Sequence, residues 1–277
     1  MRHLSKILFG AAIVAIGFTS CDEVSDVLNV GLTDSEIVEG LKTALNAGTD
    51  SSVVSANKLD GYLKNEAIKI LLPPEVQTLK NTVDNGSIDL GITTIPYQTL
   101  MDAYVLVAPN VDTDPFEELI TAMNRGAENA ADKAKPIFVS AITGMSISDG
   151  LGILQGGETA ATEYFQTNTS TALVTAFTPD ITTALGNTKA LDIYSDIQGF
   201  MNYSYDTGIP LVGSINVADY IDLGVTLPES IEGYATEKAV GGMFYLVGEE
   251  EKKIRADPFA YVSDIIQKVF SSPEAGN

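Results

Sequence analysis

The sequence predicts an all-α protein, a multi-helix bundle packed around one buried helix at about residues 234–256. Within that stretch, residues 239–247 are apolar on every side of a helix, which is typical of a helix buried on all faces. They are too few to span a bilayer. Two helix starts support the fold class. Thr33–Glu36 is a capping box, and Asp114-Pro115 places Asp at an N-cap and Pro at the first helical position.

The first 20 residues are predicted to be a secretory signal peptide, because a basic start precedes the short apolar run Ile7–Phe18. Small residues precede Cys21, and this arrangement resembles a bacterial lipoprotein signal in which Cys21 becomes the lipidated N-terminus. The alternative is an ordinary signal peptide that ends near a free cysteine. Residues 21–32 then form a lipid-anchored tether. Its start, Asp22-Glu23, either resembles a surface-export signal of bacterial lipoproteins or belongs to a solvated linker.

The predicted mature chain is strongly acidic. Removal of residues 1–20 takes away Arg2 and Lys6 and no acidic residue, which leaves 14 basic against 37 acidic residues and a formal charge of −23. Such a surface repels nucleic acid and anionic lipid headgroups, so we expect no nucleic-acid partner. The single histidine, His3, leaves with the signal, and Cys21 carries the anchor. We therefore expect no catalytic triad, cysteine nucleophile, zinc or haem site, cofactor or disulfide.

Residues 33–270 are predicted to form a single helical domain, followed by a flexible tail at 271–277. The clearest helix begins at Pro115 and carries an apolar stripe through Met145, in which Pro136 either kinks the helix or starts another. The other helices are predicted to begin at Thr33, Pro74, Ser148, Thr159, Thr171, Thr188 and Pro258. Pro179 should interrupt the one from Thr171, and Phe259 and Val262 should face inward on the last one.

Three segments are predicted to differ from buried helix. Residues 86–112 form either a small β-hairpin, in which a strand at 88–96 pairs with 104–108, or a long loop over the helices, since a lone hairpin is marginal. Residues 208–228 are Gly-rich and irregular. The charged run 249–255 is predicted to be the solvated end of the buried helix, with acidic and basic residues four apart.

Several blocks of the sequence resemble the bacterial domain of unknown function 4197 family. The resemblance implies an all-helical fold and a location in the cell envelope, and it implies no activity and no catalytic residues. Residues 86–112 look longer than the family's usual link, so an addition to the fold is expected there. Gly126, Gly241 and Gly242 replace what are usually larger residues in the family. The blocks are Gly31–Thr33, Gly40–Lys42 with Ala44-Leu45, Asp60–Tyr62, Leu72–Glu75, Met123–Arg125 with Ala127-Glu128, Ala134-Lys135 with Ile137-Phe138, Ala160–Thr162 with Tyr164-Phe165, and Thr236–Ala239 through Glu249–Pro258.

Five polar residues are candidates for a ligand site or for a structural polar cluster. Arg125 and Glu128 share the polar face of the helix from Pro115, where the guanidinium could hold an anionic ligand or pair with an acid between helices. Glu237 and Lys238 enter the predicted buried helix and are either a buried acid–base pair or charges that reach solvent. Arg255, in the charged run, is the other arginine of the mature chain.

Three function classes remain open. The first is a non-enzymatic binding or scaffold lipoprotein of the bacterial cell envelope, anchored in the outer membrane, with another envelope protein as its partner. The second is a carrier of a small apolar ligand held between helices. The third is a hydrolase that works through carboxylates, which needs two acids at a defined separation in a cleft. A long apolar cavity would favour the carrier, converging acids would favour the enzyme, and neither would favour the binding module.

Overall fold

The structure is a computed structural model, and it describes residues 31–275 apart from the side chains at 147 and 148. Helices and strands follow one another as α1 (Asp34–Asn57), α2 (Pro74–Asn85), β1 (Ser87–Asp89), β2 (Thr94–Pro96), α3 (Tyr97–Val105), α4 (Pro115–Thr143), α5 (Ile147–Leu154), α6 (Ala160–Asn187), α7 (Ala190–Phe200), β3 (Ser204–Asp206), β4 (Ser214–Asn216), α8 (Glu232–Ala256) and α9 (Asp264–Phe270). Short 3₁₀ turns occupy Val217–Asp219, Pro258–Ala260 and Pro273–Ala275. Among the described helices, none combines the length and the apolar character needed to cross a bilayer.

The four longest helices form the bundle, so the prediction of a helical bundle is confirmed. Each packs against two neighbours, in the order α1, α4, α6, α8 and back to α1. Neighbours run antiparallel: Lys135 of α4 pairs with Asp50 of α1, and Gly48 of α1 lies beside Val247 of α8. The predicted central helix is thus one of four. Most of its apolar residues are buried, but Tyr245 is 46% exposed, which corrects the expectation of burial on all faces.

The bundle has two distinct ends. The tether end, where the chain enters at Gly31, gathers the start of α1, the end of α4, α5, the start of α6, the end of α8, and α9. The distal end carries α2, α3, α7, both hairpins and the α1–α2 connection (residues 58–73). Because the long helices have 24 to 29 residues, the two ends lie roughly 35–40 Å apart.

Local signals placed the starts of α1 and α4 correctly. In the capping box of α1, the Glu36 backbone N–H donates to Thr33 Oγ1 at 3.2 Å and the Thr33 N–H donates to Glu36 Oε2 at 2.9 Å. Asp114 caps α4 by accepting from the Phe116 N–H at 2.9 Å.

The two interior prolines do not divide their helices. Pro136 lies inside α4, and Pro179 lies inside an uninterrupted α6, so the prediction of two helices between 159 and 185 is wrong. Phe177 and Ile181 are both buried on either side of Pro179. Their packing stabilises the helix across the lost backbone N–H donor.

Residues 86–112 contain both a hairpin and a helix. Strands β1 and β2 pair antiparallel with Ile88 opposite Ile95, and α3 follows at once. The prediction that 104–108 is the partner strand is therefore wrong. Tyr104 lies on α3, where its ring packs against Phe200 and Tyr203 with centroids 5.6 and 5.2 Å away. A second hairpin pairs β3 with β4. Strand β3 precedes residues 208–228, the stretch predicted to be irregular, and β4 lies within it.

The C-terminal segment differs from its prediction. A 3₁₀ turn follows Asp257, and α9 begins only at Asp264. Phe259 is 67% exposed and Val262 is fully exposed, so the expectation that both face inward is wrong. After α9, where a flexible tail is predicted, Ser272 and Ala275 are buried, and residues 276–277 lie outside the described part.

Candidate functional site

An open groove of about 500 Å³ lies along the exposed face of α8, towards the distal end. The α1–α2 connection forms one wall, and α8 forms the floor and the other wall. The connection contributes mainly aliphatic side chains, and α8 contributes aromatic, charged and glycine residues. The connection supplies Ala67, Ile68, Lys69 and Leu71, and α8 supplies Tyr234, Glu237, Lys238, Gly241, Gly242 and Tyr245.

Two adjacent glycines in α8 shape the floor of this groove. A Cβ atom on Gly242 would lie 2.8 Å from Tyr62 Cε1 and 3.1 Å from Ile68 Cβ, so the absence of a side chain lets the connection approach the helix. A Cβ atom on Gly241 would meet no atom within 4 Å. Gly242 therefore allows the α1–α2 connection to pack against α8, and Gly241 leaves the groove open.

The groove holds two lysines that take part in no ion pair among the described residues. Lys69 is half-buried and Lys238 is exposed, with its Nζ 5.5 Å from the centre of the Tyr234 ring. The Tyr234 hydroxyl donates to the carbonyls of Leu71 and Leu72 at 3.1 Å each, and burial raises its pKa. Glu237 is exposed on the same helix face. The groove thus combines positive charge, an aromatic surface and aliphatic carbon.

Tyr245 lies between the groove and a second cleft on the other side of α8. It lines the groove, and it also lines a second open cleft of about 320 Å³ between α8 and the start of α6. That cleft includes Glu163 and Lys252. A ligand longer than the groove can therefore continue over Tyr245.

A buried polar network holds the connection against α4. Arg125 donates to Glu128 Oε2 at 2.6 Å and to Asp60 Oδ1 at 2.7 Å. Glu128, 3% exposed, accepts from the backbone N–H groups of Tyr62 and Leu63 at 3.1 Å each. Hydrogen bonds lower the pKa of Asp60; the one from Lys64 has the larger effect, and the one from Arg125 the next largest. Because the Arg125 guanidinium pairs with both Asp60 and Glu128, it belongs to the structural network and is not a free anion-binding group.

Two further residues continue this network into the groove wall. The Tyr62 hydroxyl donates to the Ala239 carbonyl of α8 at 2.7 Å, and burial raises its pKa. The Asn124 side chain accepts from the Ile70 N–H at 2.8 Å and donates to the Ile70 carbonyl at 2.7 Å. The connection is therefore fixed to α4 and α8 on the side that bounds the groove.

A second network lies at the tether end, around Glu251 and Arg255. Glu251 accepts from the N–H groups of Ala161 and Thr162 at 3.0 and 2.8 Å, and so caps the start of α6. Arg255 donates to Glu251 and to the carbonyls of Ile153 and Leu154 at the end of α5. Glu251 is buried, which corrects the prediction that the whole run 249–255 is solvated.

The structure distributes the candidate residues over three places. Arg125 and Glu128 meet in the first network, Arg255 lies in the second, and Glu237 and Lys238 line the groove. Because Glu237 and Lys238 are exposed, the interpretation of them as a buried pair is wrong. Sequence reasoning missed Lys69. It identified Gly241 and Gly242 as departures from the family pattern but did not connect them with a groove, although glycines inside a helix destabilise it and so need another reason to be there.

The family model described as "Protein of unknown function (DUF4197)" matches residues 31–94 and 108–271. The chain belongs to this family. Searches of curated proteins and of solved structures found no match. The resemblance seen in the sequence is thereby confirmed.

In this DUF4197 chain, the matched ranges contain every residue of both networks and of the groove. Residues 95–107, which separate the two matched ranges, include the whole of α3. The expected addition within 86–112 is therefore a helix packed on the distal end, away from the groove.

The polar groups of the networks and of the groove differ in how far they are occupied. Within residues 31–275, no group of three or more His, Cys, Asp or Glu side chains is placed to hold a metal ion. Glu128 and Glu251 each accept from two backbone N–H groups and from an arginine. The polar groups left open in the groove are Lys69, Lys238 and Glu237. Cys21, the predicted lipidation site, lies outside the described residues.

Proposed function

We propose that this protein is a lipid-anchored, non-enzymatic binding module of the bacterial cell envelope, whose ligand site is the groove along α8. The lipid anchor is Cys21, and the membrane that holds it is the outer membrane. The ligand or partner segment carries an anionic group and an apolar body. The predicted signal and cysteine support the location, and the groove supports the binding role.

One observation carries the ligand assignment. The full chain has a formal charge of −21, yet Lys69 and Lys238 lie in one groove without an acidic partner among the described residues. An acidic protein repels anions over most of its surface, so two lysines that line one groove without an acidic partner offer a place where an anionic group is stabilised. Leu71 and the rings of Tyr234 and Tyr245 offer apolar contact beside them.

The groove supports a binding module better than the two other function classes. It is open to solvent and bears three charged side chains, whereas a carrier of a fully apolar ligand needs an enclosed apolar cavity. A carboxylate hydrolase needs two available acids in a cleft. The buried acids Glu128 and Glu251 have their oxygens occupied by N–H donors, and Glu237 is the only acid that lines the groove.

A groove-filling variant tests the site with an anionic aromatic probe, anilinonaphthalene sulfonate. Gly241→Leu places a side chain in open space, and leucine favours a helix more than glycine does, so the fold should not weaken. We expect at least about a tenfold loss of probe affinity, the factor given by 1.4 kcal/mol. Unchanged affinity in Gly241→Leu would exclude the groove as the site.

The charge requirement has its own matched pair of variants. Lys69→Gln combined with Lys238→Gln removes both groove lysines, and Lys58→Gln combined with Lys189→Gln removes two exposed lysines elsewhere. The first should weaken binding of the probe by about tenfold or more, since hydrogen bonds to charged groups contribute about 1.5–3 kcal/mol. The second should leave it unchanged. Equal effects would mean that the probe senses only net charge.

The anchor is tested separately. Cys21→Ser removes the only thiol, so it should abolish incorporation of radiolabelled palmitate and release the protein from the membrane fraction. Label that still enters the Cys21→Ser protein would refute the lipoprotein assignment.

A further inference from the structure

Two large apolar side chains project from the segment between α8 and α9. Phe259 is 67% exposed and Val262 is fully exposed, three residues apart. Single exposed apolar residues are ordinary on protein surfaces. The segment that carries this pair is well held from behind: Pro258 is buried, and the Gln267 side chain donates to the Tyr261 carbonyl at 2.7 Å. The backbone is fixed while the two apolar side chains face outward.

The pair lies at the tether end of the bundle. Immediately after Val262, α9 begins, and it packs along the start of α1, where Lys268 pairs with Glu36. At the far end of α9, Glu274 lies next to Gly31, the first described residue. A seven-residue helix is roughly 10 Å long, so the apolar pair and the chain entry lie beyond opposite ends of one short helix at the tether end.

The length of chain before Gly31 determines what this surface meets. Gly31 lies ten positions after Cys21, and this length of chain spans at most about 35 Å when extended. We propose that Phe259 and Val262 insert into the interfacial region of the membrane that holds the Cys21 anchor. This proposal rests on the lipid anchor of the proposed function. A lipid anchor and a second apolar contact together give the two-signal attachment that holds a protein stably at a bilayer.

Charge specifies the kind of lipid surface. Asp257 and Asp264 flank the segment on its two sides. Acidic residues disfavour anionic headgroups, so the surface suits a zwitterionic bilayer. Docking at this end also points the groove away from the lipid, since Gly241 lies sixteen residues before Asp257 on the same helix, about 24 Å along its axis.

The absence of tryptophan from the chain makes a direct test available. Phe259→Trp and Val262→Trp each introduce the only indole at the proposed contact. Leu211→Trp places it at a 96% exposed position beside β4, at the distal end, as the matched control. The full lipidated protein is reconstituted into phosphatidylcholine vesicles that contain brominated acyl chains, which quench indole fluorescence at close range.

We expect Phe259→Trp and Val262→Trp to lose most of their fluorescence and Leu211→Trp to keep it. Mass spectrometry of residue 21 in the same sample reports acylation independently. An acylated protein with unquenched indole at both positions overturns the docking and leaves the anchor intact. A protein without acyl groups at Cys21 overturns both. Equal quenching at 259 and 211 overturns a contact specific to the tether end.

Discussion

The neighbouring glycines of α8 should respond to alanine with opposite signs. In Gly241→Ala the new Cβ meets nothing within 4 Å, and alanine favours a helix interior over glycine by about 0.8–1.0 kcal/mol. In Gly242→Ala the same gain applies, but the Cβ lies 2.8 Å from the Tyr62 ring and 3.1 Å from Ile68. Tyr62 is fully buried and its hydroxyl is bound to the Ala239 carbonyl, so the ring cannot easily yield.

Forcing a methyl group into a packed core costs about 1–3 kcal/mol. We therefore expect Gly241→Ala to be more stable than the parent by about 1 kcal/mol, and Gly242→Ala to be less stable by up to about 2 kcal/mol. Because the helix preference cancels between the two variants, their difference isolates the overpacking cost.

Urea unfolding followed by circular dichroism measures both variants under one condition. In a thermal scan each kcal/mol should appear as about 2–4 °C for a domain of this size. Equal stabilities for the two variants would show that Tyr62 and Ile68 do not press on α8. The wall of the groove would then be placed wrongly, and the groove itself would lose its physical basis.

Four further variants test the packing with the same urea melts. Glu251→Ala leaves buried partners uncompensated and should cost about 3–5 kcal/mol, whereas Lys252→Ala, on the exposed face, should change stability within about 0.5 kcal/mol. Phe244→Ala should cost about 3–5 kcal/mol, because the ring is buried beside the bundle axis. A hydrogen bond from Lys268 is the largest cause that lowers the pKa of Glu36 from 4.5 to about 2, so its contribution to stability is present above pH 4.5 and is lost as the pH falls towards 2. Glu36→Gln should lose stability at pH 6 and approach the parent near pH 2.

The fold could be predicted where local chemistry decides it. The capping box at Thr33 and the Asp114-Pro115 start work through neighbours within four residues, so the sequence alone determines them. The prolines at 136 and 179 show the limit of that reasoning. Each removes one backbone hydrogen bond, and long-range packing of residues such as Phe177 compensates, which a local pattern does not reveal.

The burial of Glu251 also shows that a local sequence pattern does not reveal long-range contacts. In the sequence it sits in a run of three glutamates, which is typical of a solvated helix end. In the fold, the start of α6 lies against it, and the free N–H groups of Ala161 and Thr162 turn this position into a buried helix cap. Which of the three glutamates is buried depends on the rotation of α8 about its own axis within the bundle.

Only one of the two groove lysines could be predicted from the sequence. Lys238 was singled out because it lies in the most distinctive stretch of the chain. Lys69 was not, because it joins the groove only when the α1–α2 connection folds back onto α8 through Tyr62 and Asn124. A site built from two segments distant in sequence needs the contact between them before its charge can be recognised.

The basic side chains divide the molecule into structural and binding parts. Arg125 and Arg255 each donate to at least two acceptors, which suits the multiple N–H donors of a guanidinium at a crowded junction. Lys69 and Lys238 have flexible side chains and no acidic partner among the described residues. These two arginines therefore contribute to stability, whereas the proposed binding depends on Lys69 and Lys238. A ligand can then bind or leave the groove without disturbing the contacts that hold the groove in place.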